Sequence, residues 1–238
     1  MLIGITFVAA AVQGALGFGF GMTSMALLSL SWPVREAVPV VQMLALALNI
    51  GLSWRYRHTP MPGSAGWMLL GGLIGVPLGV VFLVGAPPRA LLLGLAAILL
   101  GYVALRLWSP TVSMRPPSWV GGLAGFLGGV LGAAFNAGGP PVVLYVSTRD
   151  DWSPVVVKRV LTSFFLVLGL FGVLSMIQAG VLGSQEAARG VVAVPFAIGG
   201  GWAGHALGKR MSEARFRSVV LVALAGLGLV FLSRGIGL

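Results

Sequence analysis

Eight apolar windows, residues 1–31, 38–54, 66–85, 90–108, 118–147, 155–177, 190–208 and 217–233, take up most of this 238-residue chain. A helix needs about 20 apolar residues to cross the hydrocarbon core of a bilayer, and the windows are of that order. Between them no polar stretch exceeds about a dozen residues, which leaves no room for a soluble domain. Only 8% of residues are charged, against about 25% in soluble domains, and the mean hydropathy is +1.01. The chain is read as an all-α polytopic membrane protein. Residues 1–30 carry no basic n-region and no small-residue cleavage site, so they are expected to be structure, not a signal peptide. Cysteine is absent, which excludes disulfides, thiolate nucleophiles and cysteine metal sites. The net charge of +10 comes from cations flanking apolar segments, which points to membrane topology and acidic headgroups and away from nucleic acid.

The first and fifth windows are about 30 residues long and are interrupted. In the run Trp119–Tyr145 an apolar helix meets Asn136, Gly138, Gly139, Pro140 and Pro141. Proline lacks the N–H a helix needs and glycine leaves the backbone loose, so the helix is expected to stop near Asn136 and restart. Unpaired backbone groups in lipid cost several kcal/mol each, so a break persists only under protein or beside a wet cavity. Transporters build substrate sites at such breaks. The competing reading is that glycine and proline merely let helices pack closely.

The run Gln13–Leu28 repeats this element at an offset of 115: Gly14 falls on Gly129, Gly17 on Gly132, Phe20 on Phe135, Gly21 on Asn136 and Ser24 on Gly139. A tryptophan–proline corner follows each run. Later glycines recur at four-residue spacing, Gly71–Gly75–Gly79 and Gly200–Gly204–Gly208. Residues 1–110 and 111–238 are therefore read as two four-segment repeats within one membrane domain. The glycine ladders give a smooth face suited to tight helix packing, including a candidate homodimer contact.

Basic residues discriminate between two topologies. If all eight windows cross, Arg35, Arg89, Arg149, Lys158, Arg159, Lys209, Arg210, Arg215 and Arg217 share one side, nine of the 15. If windows one and five dip in and return, the repeats are inverted. Arg55, Arg57, Arg106, Arg115, Arg149, Lys158, Arg159, Lys209, Arg210, Arg215 and Arg217 then face Arg35, Arg89, Arg189 and Arg234, eleven against four. The second division obeys the positive-inside rule better. It predicts an inverted repeat in a bacterial-type cytoplasmic membrane with both termini outside.

The five acidic residues, Glu36, Asp150, Asp151, Glu186 and Glu213, lie at segment ends or in loops, so no carboxylate relay crosses the membrane. His205 is the one histidine inside a segment. A proton role competes there with that of a hydrogen-bonded bundle residue. No metal set, hydrolytic triad, phosphate loop or dinucleotide fingerprint is complete, so no cofactor and no enzyme activity are expected. Neutral polar groups cluster at the breaks: Gln13, Gly17, Gly19, Gly21, Thr23 and Ser24 in the first half, Asn136, Gly138, Gly139 and Pro140 in the second. Restarting helices expose free N–H groups and positive dipole ends, and two of them facing each other make an anion site without fixed charge. Gln42, Asn49, Thr162 and Ser163 are candidate further donors. Back-bonding to their own helix is an equal reading for Thr162 and Ser163. Arg159 is either a counter-charge for an anion or a topology-setting cation.

On the two motifs, GALGFGFG and GGVLGAAFNAGGPP, each opening a four-segment half, the chain resembles the sulfite exporter TauE/SafE family over essentially its whole length. The resemblance implies an inner-membrane carrier of small anions such as sulfite, sulfoacetate or other organosulfur compounds. It carries over to Gly14, Gly17, Gly19 and Gly21, and to Gly128, Gly129, Gly132, Asn136, Gly138, Gly139, Pro140 and Pro141. Met22-Thr23-Ser24-Met25 departs from the family's more glycine- and proline-rich continuation. Export is the expected direction, because an anion leaving a negative interior gains about 2.3 kcal/mol per 100 mV. A passive anion or solute channel, an ion-coupled uptake permease and a scaffolding subunit are the alternatives.

Overall fold

The computed structural model describes residues 1–16, 18–108, 116–208 and 213–237. Their regular structure is helical throughout: α1 Leu2–Leu16, α2 Phe20–Leu28, α3 Val34–Arg55, α4 Ala65–Gly85, α5 Pro88–Trp108, α6 Ser118–Phe135, α7 Gly139–Ser147, α8 Pro154–Gln178, α9 Ser184–Gly208 and α10 Glu213–Ile236. Six contain stretches long and apolar enough to cross a membrane: α3, α4, α5, α6, α8 and α9. Shorter apolar helices cover Leu2–Ala15 and Val220–Ile236. The chain is a multi-pass α-helical membrane protein.

Helix ends fall where the local chemistry demands them. Pro33, Pro117 and Pro154 stand at or just before the starts of α3, α6 and α8. At α8 the Ser153 hydroxyl accepts the Val156 N–H at 3.4 Å, a side-chain cap ahead of proline. Windows 1–31 and 118–147 each hold two helices. In the first, Gly19 takes φ 102°, a left-handed conformation open to glycine at little cost. In the second, Asn136 takes φ 53°, which asparagine tolerates better than other side chains. The N–H groups of Asn136 and Ala137 close the end of α6 onto the carbonyls of Gly132 (2.9 Å) and Leu131 (3.1 Å). Carbonyls that would be orphaned in lipid are satisfied this way.

The chain turns back at the second break. Gly121, in the first turn of α6, lies against the Tyr145 ring near the end of α7, and Gly128 lies against Val142 and Gly138. The Arg149 guanidinium, just past α7, donates to the Pro116 carbonyl at 3.2 Å. Segment 118–147 thus begins and ends at the same end of the bundle.

The described glycines of the ladders pack inside the chain. Gly71, Gly75 and Gly79 of α4 press onto the backbone of α6 at Gly122, Phe126 and Val130, so these helices run parallel. Gly200 and Gly204 of α9 press onto α1 at Phe7 and Ala11, again parallel. Gly71, Gly75, Gly79, Gly200 and Gly204 of the two ladders are therefore covered within the chain. A side chain at these positions would overlap the facing backbone, which only small residues avoid. By contrast α3 and α8 run antiparallel, with Leu46 facing Gly169 and Gln42 facing Gly172. So do α5 and α10, where Leu100 faces Gly228 and Leu93 faces Gly235.

Four arginines gather at one end. Arg35 donates to the Leu83 and Ala86 carbonyls (3.1 and 2.8 Å), Arg89 to Gly235 (2.6 Å) and Arg234 to Leu30 (3.0 Å). Arg189 stacks over Trp32 at 5.0 Å. Three of these cations sit on carbonyls at or just beyond helix C-terminal ends, where the helix dipole favours positive charge.

Candidate substrate site

Both breaks arrive at one place. Gly21, in the first turn of α2, packs directly on the backbone of Asn136, leaving no space for a Cβ. Next to this contact lies a cavity of about 90 Å³, room for several waters or one small anion. Its walls come from α1, the first break, α3, the second break and α8. Gln13, Gly19, Gly21, Gln42, Asn49, Asn136, Gly138, Gly139 and Thr162 all line it. So do the apolar Phe18, Phe20, Phe164 and Phe165, none of them a candidate site residue from the sequence. Among the described residues no acidic or basic side chain lines it.

The polar groups differ in how free they are. Asn136 donates through Nδ2 to the Val38 carbonyl at 2.8 Å, tying the second break to α3. Asn49 donates to Ala45 at 2.8 Å and Thr162 to Lys158 and Arg159 at 2.9 and 3.1 Å, so both back-bond to their own helix. Gln42 is buried beside the cavity, with its amide bonded to no described residue. Neither restarted helix has a side-chain cap. In α2 the first internal bond is Thr23 N–H to Gly19 O at 3.0 Å, which leaves the N–H groups of Phe20, Gly21 and Met22 without intrahelical partners. In α7 Pro140 and Pro141 carry no N–H, so Gly139 supplies the donor at that start. The cavity thus presents carboxamide and backbone N–H donors inside an apolar shell. Such a shell suits a small anion whose charge is spread over several oxygens.

Other candidates lie elsewhere. Thr23 faces a second, much smaller cavity beside Val12, Tyr102 and Leu224. Ser24 and Ser163 are buried with hydroxyls that have no protein partner, and neither lines the main cavity. Helix geometry accounts for this, because neighbouring residues on a helix point about 100° apart. Gly21 and Thr162 claim the cavity face, and Thr23 and Ser163 turn from it. Pro140 starts α7 without lining the cavity. His205 is exposed on α9, outside the cavity. Arg159 is half-buried one helical turn from Thr162. Gly17 lies outside the described residues.

A bundle of apolar helices, with two windows broken beside one polar cavity, is an arrangement that membrane transporters use. Residues 2–231 match the family model for the sulfite exporter TauE/SafE family, and the chain belongs to that family. It is a transporter and not an enzyme. Among curated proteins it is similar to a probable sulfite/organosulfonate exporter TauE of Cupriavidus necator, 28% identical over 225 residues. That alignment spans 91% of this chain and 86% of the relative. No solved structure matches the chain.

Proposed function

We propose that this protein exports a small oxyanion, of the sulfite or organosulfonate type, through the cavity where its two helix breaks meet. The observation that carries this reading is the joint lining of one cavity by Gln13, Gln42, Asn49 and Asn136 and by the start of α2 at Phe20–Met22, with no acidic side chain among the described residues that line it. A carboxylate at that position would repel an anion, and uncharged donors bind one without trapping it. The family and the relative from Cupriavidus necator support the substrate class.

The frame of this exporter is two inverted repeats in the cytoplasmic membrane, with α1–α5 and α6–α10 as equivalents and both termini outside. Support comes from contacts that recur at the offsets seen in the sequence. Gly129 packs on the Gly72 backbone, and their counterparts Gly14 and Gly201 pack alike. Gly71 on Gly122 is matched by Gly200 on Phe7, and Gly75 on Phe126 by Gly204 on Ala11. Gly21 touches Asn136, its own equivalent, as residues on a twofold axis do. The equivalent pairs α3/α8 and α5/α10 run antiparallel, the relation produced by an axis in the membrane plane. Arg35, Arg89, Arg189 and Arg234 gather at one end, the four-residue minority of the hairpin topology. With all eight windows crossing, Arg89 and Arg234 would lie on opposite sides, at odds with the Arg89 bond to Gly235.

The test uses purified protein in liposomes loaded with sulfite, sulfoacetate, taurine, thiosulfate or acetate, under an inside-negative potassium diffusion potential. Saturable, potential-driven efflux of one or two sulfur anions is expected. Fast, unselective, non-saturating loss would establish a channel instead.

A further inference from the structure

One turn from the cavity, towards the end opposite the four gathered arginines, α3 and α8 form a second polar rung. Asn49 and Thr162 make the rung on the cavity wall, and Ser53 and Arg159 make the next. Ser53 is buried on the face of α3 that carries Asn49. The Arg159 guanidinium reaches it only through Nη1, at 3.4 Å to Oγ and 3.5 Å to the carbonyl, both at the long limit for a hydrogen bond. Its Nε is buried and has no protein partner. No carboxylate pairs with Arg159 among the described residues, whereas Arg149, ten residues earlier, forms a 2.7 Å ion pair with Asp151. A cation within a membrane helix is costly, and satisfied examples pair with carboxylates or with several carbonyls, as Arg35 does on Leu83 and Ala86. Arg159 lacks both.

We propose that Arg159, with Ser53, is an anion-binding station between the cavity and one face of the membrane, where the transported oxyanion pauses on entry or exit. This rests on the reading of the cavity as an anion site. Guanidinium offers a planar fork of donors that matches two oxygens of a sulfite, sulfonate or carboxylate group, and the Ser53 hydroxyl supplies a further donor. Thr162 keeps its hydroxyl bonded to the Lys158 and Arg159 carbonyls, which stiffens the backbone that carries the guanidinium. No cation stands at the equivalent position of the first half. Under the offset of 120 that places Thr162 on Gln42, the equivalent of Arg159 is Pro39. The station therefore serves one face only, and its loss changes affinity from that face.

The experiment measures sulfite transport in oriented proteoliposomes, from each face separately, for the wild type, Arg159→Gln, Arg159→Lys, Ser53→Ala and Lys158→Gln. Arg159→Gln is expected to raise KM from the Arg159 face about tenfold or more, with KM from the opposite face within about twofold, the size of losing one charged hydrogen bond. Arg159→Lys keeps the charge without the fork and should recover only part of the loss, and Ser53→Ala should raise KM about threefold from the same face. Lys158→Gln removes a neighbouring exposed charge of the same topological weight and should leave KM unchanged. Equal KM from both faces in Arg159→Gln, or the same change in Lys158→Gln, would overturn the station and leave the exporter reading standing. If Arg159→Gln does not fold, Arg159→Lys and Ser53→Ala decide by the same sided comparison. Absence of sulfite flux in the wild type would overturn both.

Discussion

The two breaks occupy equivalent places and solve the same problem differently. The second is built to hold one conformation. Asn136 supplies the left-handed residue, its own amide pins α3 at Val38, and Pro140–Pro141 fix the start of α7. The first is built from glycine. Gly19 takes φ 102° without any side chain to anchor it, and α2 restarts without a side-chain cap. The frame is repeated, and the chemistry is divided between its halves. One half positions the cavity and the other supplies most of its open donors. A glycine break also resets at lower cost than one held by asparagine and two prolines, so movement during transport is expected at the first break.

The largest effect should come from the point where the breaks touch. Gly21→Val drives a branched side chain into the Asn136 backbone, a clash of Cβ with main chain that no rotamer relieves. Size-exclusion chromatography in detergent should show loss of the folded species. A monodisperse Gly21→Val variant would mean that the breaks are not in rigid contact.

Asn136→Ala comes next. It costs about 1–2 kcal/mol for left-handed backbone and about 1 kcal/mol for the lost bond to Val38, so flux should fall about tenfold or more while folded protein is still recovered. Asn136→Gly keeps the backbone conformation and should fall between alanine and wild type. Normal transport by Asn136→Ala would make the second break purely structural. Gln42→Ala, which removes a free amide from the cavity, should raise KM for sulfite about fivefold with little change in melting temperature. Thr162→Val should change KM about twofold or less, because its hydroxyl is already used by its own helix. Rapid filtration of isotope-labelled sulfite separates these last two.

Much of this was legible because the signals are local. Left-handed backbone and missing N–H groups follow from glycine, asparagine and proline themselves, so a break near Asn136 and a second within the glycine run after Gln13 could be placed without a structure, whereas the left-handed residue of the first is Gly19 and not Gly21, the repeat equivalent of Asn136. The back-bonding of Thr162 was likewise foreseeable as one of two readings. Contacts between distant segments were not legible. That the Gly71 ladder meets α6 and the Gly200 ladder meets α1 depends on which helices become neighbours, and a smooth face reads the same for an internal partner and for a second subunit. Thr23, Ser24 and Ser163 were placed at the site by proximity in sequence, yet one or two residues of helix turn a side chain to another face. Ser53 was missed although a signal existed. Gln42, Asn49 and Ser53 are spaced by seven and four, which places them on one stripe of α3.

The most direct test of the account asks whether an anion sits at the meeting point of the breaks. The chain has no cysteine, so Gly139→Cys introduces a single thiol on the cavity wall, at a position with open space for a side chain. Its labelling by N-ethylmaleimide is followed with and without saturating sulfoacetate, against chloride of equal ionic strength. Sulfoacetate is expected to slow labelling about fivefold or more and chloride to leave it unchanged, as occupancy of the site requires. Labelling at the same rate in both, in protein that transports sulfoacetate, would place the anion elsewhere and contradict the account.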